Sequence, residues 1–140
     1  MQSFKIGVLR EEKNPPDKRV PLTPLICAEL MRKYKSLEIV VQQSKTRCYS
    51  DEEYTSFGIS FQEDLSDCDV LMGVKQVPPE KLIEGKKYFF FSHTIKKQPH
   101  NKILMQALIA KRIQMIDYET LTDKTHNRII GFGRYAGIVG

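Results

Sequence analysis

Apolar residues fall along this chain in short bursts whose spacing switches between every second position and every third or fourth, the pattern of strands alternating with helices. Phe4, Ile6 and Val8 alternate with other residues, so the chain opens on a strand ending near Leu9, and Asn14-Pro15-Pro16-Asp17 then breaks regular structure. Thr23 before Pro24 makes a cap and first helical position, and Leu25, Ile26, Leu30 and Met31 recur at helical spacing, which predicts a helix from Pro24 to about Tyr34. Leu37 to Val41 reads as a strand; Ser50-Asp51-Glu52-Glu53 opens a short acidic-capped helix that Gly58 stops before Ile59 and Phe61. The continuous apolar runs Val70 to Val74 and Tyr88 to Phe91 suit strands covered on both faces, with Pro78 and Pro79 punctuating the stretch between them. Asn101 caps a further helix carrying Ile103, Leu104, Ala107 and Leu108 toward Lys111, and Ile113 to Ile116 returns to strand. This succession predicts an α/β fold, a mostly parallel Rossmann-like sheet with helices on both faces.

A chain of 140 residues with 41% hydrophobic content fits one domain with a single core, and no internal repeat or linker divides it. Nothing approaches the roughly twenty apolar residues that span a bilayer, and MQSFKIGVLREEK lacks the apolar core of a signal peptide, so a soluble, cytoplasmic protein is expected. Cys27, Cys48 and Cys68 are widely spaced and without CxxC or nearby histidine pairing, the pattern of reduced structural thiols. The net charge of +5 is scattered among acidic residues and forms no basic face, which argues against nucleic acid and suits small anions. The glycine-rich end GFGRYAGIVG leaves the chain looking unfinished, and a longer protein is expected. Gly131, Gly133 and Ala136 match a dinucleotide fingerprint in form only, because the four residues after Ala136 leave no room for the helix and strand that it serves.

Ligands of α/β sheets bind at the carboxyl ends of the strands, so polar residues just past apolar runs are the first candidates. Three places qualify. Arg19, in the loop after the first strand, could clamp a carboxylate; Lys75 directly follows Val70 to Val74; His93 follows Tyr88 to Ser92, where an imidazole could exchange protons near neutral pH. Each residue alone is more often an ordinary solvated or hydrogen-bonding position, and sequence physics by itself ranks a scaffold for protein contacts first. His93, His100 and His126 lack ligand spacing, so no metal is expected, and no GxSxG elbow or paired carboxylates support a hydrolase.

The opening IGVLREEKNPPDKRVPLTP, together with GVKQVPPEKL, FFFSHTIKKQ, IDYETLTD and RIIGFGRYAGIVG, resembles the N-terminal domain shared by alanine dehydrogenases, transhydrogenase alpha subunits and saccharopine dehydrogenases. The later motifs are most similar to saccharopine dehydrogenases of the lysine/2-oxoglutarate reductase type. The resemblance covers essentially residues 1–140, which would form the substrate-side domain of a longer enzyme whose cofactor domain lies outside this chain. It implies that Lys75 and His93 are an acid–base pair, that Arg19 and Arg128 bind substrate carboxylates, and that Glu119 tunes the charge around Lys75. The implied reaction condenses lysine with 2-oxoglutarate and reduces the imine to saccharopine with NADPH or NADH, held mainly by the other domain, and a homo-oligomer is compatible with it. His93 would protonate the departing carbonyl oxygen and Lys75 would take protons from the substrate amine, or the two would act the other way round. Gln76 departs from relatives that carry an acidic residue after the lysine, which should change how firmly Lys75 holds its proton. The rival readings are an alanine dehydrogenase or transhydrogenase alpha N-terminal domain, and a non-catalytic dicarboxylate-binding module.

Overall fold

The computed structural model describes residues 3–93 and 99–130. Six strands, β1 (Phe4–Val8), β2 (Leu37–Val41), β3 (Ser60–Phe61), β4 (Val70–Met72), β5 (Lys87–Phe90) and β6 (Gln114–Asp117), form one sheet in the order β3-β2-β1-β4-β5-β6. Every pairing is parallel. Among the described residues the α-helices are α1 (Pro24–Lys33), α2 (Asp51–Ser56) and α3 (Lys102–Ala110). The chain builds outward from β1 to β3, then returns to add β4, β5 and β6 on the other side of β1. This is the doubly wound Rossmann-like order, and its direction reverses between β1 and β4, where such sheets open a crevice at the strands' carboxyl ends.

The pleat sends neighbouring residues to opposite faces. Val8, Ile39 and Val41 pack against Cys27 of α1 and Tyr54 of α2, whereas Val40, Leu71, Tyr88 and Phe90 pack against Leu104 and Leu108 of α3. Burying each large apolar side chain contributes roughly 1.5–3 kcal/mol, so the two covered faces explain why the central strands are apolar without alternation. Where β1 passes β4 there is no space for a side chain: a Cβ on Gly7 would lie 2.9 Å from Cys68 Sγ and Leu71 Cδ2.

Local signals place the helix starts. Thr23 Oγ1 accepts the Ile26 N–H at 3.3 Å with Pro24 at the first helical position. Ser50 and Glu53 form a reciprocal capping box, Ser50 N–H donating to Glu53 Oε2 at 2.6 Å and Glu53 N–H to Ser50 Oγ at 3.2 Å.

The helix expected from Pro24 to about Tyr34 forms as α1; the structure adds one detail to it and corrects two other expectations. On α1 the stripe facing the sheet runs through Pro24 and Cys27 toward Leu30 and Met31, which leaves Leu25 and Ile26 exposed. β4 ends at Met72, not Val74, because the Val74 and Lys75 N–H groups turn to a side-chain carboxylate from another element, Glu11. Asn101 does not cap α3 with its side chain; α3 is entered from a 3-10 turn at Pro99–Asn101, and the Asn101 amide is engaged by Gln76 and the His93 carbonyl. The glycine-rich end, residues 131–140, residues 94–98 within FFFSHTIKKQ and the His100 side chain lie outside the described residues.

Candidate functional site at the carboxyl edge of the sheet

Two groups of polar residues gather past the strand ends. The first surrounds Lys75. The loop after β1 sends the Glu11 carboxylate across to β4, where it accepts the Lys75 N–H at 2.6 Å and the Val74 N–H at 3.1 Å. From the other side, the Tyr118 hydroxyl donates to the Gly73 carbonyl at 2.9 Å. Burial pushes the Glu11 carboxyl above the usual carboxylate range, opposed by those two N–H groups and by Arg19, while the neighbouring Asp17 charge adds to the rise. Arg19 lies in the same loop, paired with Asp17: its Nε and Nη2 donate to the two Asp17 oxygens at 2.9 and 2.6 Å. That guanidinium holds the Asp17 carboxyl below its usual range, and the Lys75 charge acts in the same direction. One edge of Arg19 is therefore engaged by an internal carboxylate.

The second group surrounds His93. Beyond β5 the backbone of His93 turns to φ 60°, a left-handed conformation that histidine tolerates better than most side chains. Its Nδ1 lies 2.9 Å from Glu119 Oε1, and Arg128 Nη2 lies 4.0 Å from the same oxygen. A carboxylate oxygen only accepts, so Nδ1 carries the hydrogen and Nε2 is left as the ring's exchangeable site. Glu119 is held by Asp117, the last residue of β6. The buried Asp117 carboxylate accepts the Glu119 N–H at 2.9 Å and, on its other oxygen, the N–H at 3.2 Å and the hydroxyl of Ser92, the residue before His93.

Val74, Phe91 and Tyr118 form one apolar cluster that underlies both groups, since Val74 precedes Lys75, Phe91 stacks on the His93 ring at 6.4 Å, and Tyr118 precedes Glu119. No hydrogen bond or ion pair among the described residues joins the Lys75 and His93 side chains. A cavity of about 190 Å³ opens between the carboxyl ends of β1 and β4, with Lys75, Gln76, Leu9, Arg10, Glu12 and Lys81 on its wall. His93, Glu119, Arg19 and Arg128 are not on that wall.

Gln76 takes a different part from the one expected of it. Its Nε2 donates to the Ser92 carbonyl at 2.5 Å and to Asn101 Oδ1 at 2.8 Å, which ties the end of β4 to the end of β5. The acidic group at Lys75 comes instead from Glu11. Sequence reasoning missed Glu11, Asp17 and Asp117. Asp17 carried a readable signal, standing two residues before Arg19, and Asp117 lies within IDYETLTD; Glu11 bonds to a residue 64 positions away and carried no local signal beyond its place after a strand. Among the described residues no three His, Cys, Asp or Glu side chains come together to hold a metal.

An all-parallel, doubly wound sheet with ionisable residues gathered along its carboxyl edge defines a Rossmann-like α/β domain. The chain belongs to the family of the alanine dehydrogenase/PNT N-terminal domain, whose description residues 7–139 match. It is 37% identical over 139 residues to alpha-aminoadipic semialdehyde synthase of Arabidopsis thaliana, covering 96% of this chain and 13% of the relative. It is 28% identical over 137 residues to the saccharopine dehydrogenase (NAD(+), L-lysine-forming) of Yarrowia lipolytica, covering 94% of this chain and 37% of the relative. Among solved structures, an L-alanine dehydrogenase aligns with a TM-score of 0.70 at 19% identity over 89% of this chain and 35% of its own, a likeness of fold. The chain thus spans well under half the length of each of these relatives.

A nicotinamide dinucleotide can be tested against the residues themselves. Its pyrophosphate needs glycines and donor N–H groups at the first strand-to-helix turn. Here that turn reads Leu9-Arg10-Glu11-Glu12, and the Val74 and Lys75 N–H groups across the crevice already serve the Glu11 carboxylate. The described residues do not fit the cofactor's pyrophosphate at this place.

Proposed function

We propose that this chain is the substrate-side, acid–base domain of an oxidoreductase of the saccharopine dehydrogenase type, acting on lysine and 2-oxoglutarate with NADPH or NADH bound by a further part of a longer polypeptide. The observation that carries this is the placement of Lys75 and His93 past the ends of adjacent parallel strands, over one floor of Val74, Phe91 and Tyr118. The names of the relatives, alpha-aminoadipic semialdehyde synthase and saccharopine dehydrogenase, support the substrate class.

Forming an imine from an amine and a ketone requires protons to leave nitrogen and to reach the departing oxygen. Lys75 takes protons from the substrate amine and His93 delivers one to oxygen, with Glu119 fixing the ring through Nδ1 so that Nε2 does the exchange. Arg128, beside Glu119, and Arg19, oriented by Asp17, supply guanidinium groups for the carboxylates of the two substrates. Lys75→Met and His93→Gln in the complete enzyme are each expected to lower turnover by roughly 10²–10⁴, the usual contribution of a positioned acid or base. Steady-state kinetics of saccharopine formation checks this, and normal turnover in either variant removes that residue from the mechanism.

A further inference from the structure

We propose that Glu11 is the positioning residue for Lys75, an internal anion occupying the crevice where a doubly wound sheet ordinarily receives an anionic ligand. This rests on the acid–base role given to Lys75 above only for its catalytic consequence; the structural part stands on its own. In such sheets the crevice between the carboxyl ends of β1 and β4 collects backbone N–H groups that can hold an anion. Here the Val74 and Lys75 N–H groups point into it, and the two Glu11 oxygens take one each, at 3.1 and 2.6 Å. The residue before them is shaped to admit the carboxylate: a Cβ on Gly73 would stand 3.2 Å from Glu11 Oε2 and 3.5 Å from Leu9 Cδ1.

The opposite side of the same segment is also fixed. The Tyr118 hydroxyl donates to the Gly73 carbonyl at 2.9 Å, so Gly73, Val74 and Lys75 are gripped by a carboxylate from the β1 loop and a phenol from beyond β6. Neither grip touches the Lys75 ammonium. Together they determine where the lysine stem leaves the backbone and restrict its path.

The test reads Lys75 directly. In the full-length protein, acylation of each lysine by a water-soluble succinimidyl ester is followed by peptide mass spectrometry for the native sequence, Glu11→Gln and Glu11→Ala, with exposed Lys33 and Lys102 as internal references. Loss of the carboxylate releases the Val74 and Lys75 N–H groups and frees the lysine stem, so Lys75 acylation is expected to rise roughly 3- to 10-fold relative to the references, the factor that the net worth of one hydrogen bond corresponds to. In Glu11→Ala, added formate is expected to fill the vacated place and return the Lys75 rate saturably toward the native value. Should Glu11→Ala not fold, Glu11→Gln decides alone, since it keeps the shape and loses one of the two accepting oxygens. An unchanged Lys75 rate overturns the proposal, and so does an equal rise at Lys33 and Lys102, which marks general loosening. Lys75→Met separates this outcome from the functional reading: full turnover in that variant removes the catalytic role while leaving the labelling result standing.

Discussion

Replacing Asp117 by alanine removes the carboxylate that joins the two halves of the His93 group. Asp117 is buried at 6% exposure, and its oxygens accept the Ser92 N–H and hydroxyl on one side and the Glu119 N–H on the other. A hydrogen bond to a charged group contributes about 1.5–3 kcal/mol, and an abandoned buried donor costs 1–3 kcal/mol. Three such bonds, less the desolvation that the carboxylate no longer suffers, put the loss for Asp117→Ala at about 3–5 kcal/mol, the range measured when one partner of a buried charged network is removed. Asp117→Asn keeps one accepting oxygen and is expected to lose about half as much. Urea unfolding supplies the stability, and a long-range ¹H–¹⁵N spectrum of the imidazole supplies the second readout. With Ser92 and Glu119 released, the Nδ1–H to Glu119 contact loosens and the ring is expected to show a mixture of tautomers in place of one. A loss below about 1 kcal/mol, the net worth of one ordinary hydrogen bond, together with an unchanged imidazole spectrum, would refute the reasoning.

Other expected outcomes concern Arg47, the cysteines and Asp17. Arg47, 4% exposed, donates to Asp51 at 2.6 Å, to the Gln42 and Tyr49 carbonyls at 2.8 and 3.1 Å, and lies 4.6 Å from the Tyr54 ring centre. Arg47→Ala is expected to lower the unfolding free energy by about 2–4 kcal/mol in denaturant titration, and Arg47→Lys to recover only part, because an ammonium lacks the planar fork. Burial pushes the Cys27 and Cys68 thiols up to about 11, while Cys48 is exposed, so a thiol reagent at pH 8 is expected to modify Cys48 rapidly and the other two only on unfolding. The Asp17 carboxyl, lowered by Arg19, contributes stability that is complete above its unfolded pKa and fades as pH falls through its lower native one. Asp17→Asn should therefore flatten the acid side of the stability curve measured by urea melts across pH.

The parts of the fold that were legible in the sequence are those specified within a few residues. Alternation or unbroken apolar runs located the major strands, Thr23-Pro24 marked the start of α1, and Ser50 with Glu53 marked α2, because capping and periodicity are local. The apolar residues of α1 outnumber what its buried stripe can hold, so the pattern alone could not choose between Leu25-Ile26 and Pro24-Cys27; packing against Ile39 of β2 and Tyr54 of α2 made that choice. The end of β4 was hidden for a related reason. Val70 to Val74 reads as one strand since the run is apolar throughout, yet regular pairing ends at Met72: a carboxylate more than sixty residues away captures the Val74 and Lys75 N–H groups, while toward β5 the Phe91 N–H still reaches the Val74 carbonyl. The same physics divides the candidate site. Lys75 and His93 could be placed at strand ends because what precedes them is apolar, whereas the residues that hold them, Glu11 and Asp117, look like ordinary polar positions beside a strand. A side chain whose work is to orient a distant backbone leaves no periodic mark. It shows itself only by drawing backbone N–H groups to its two oxygens at a point where the regular ladder ends, as the half-buried Glu11 and the buried Asp117 both do.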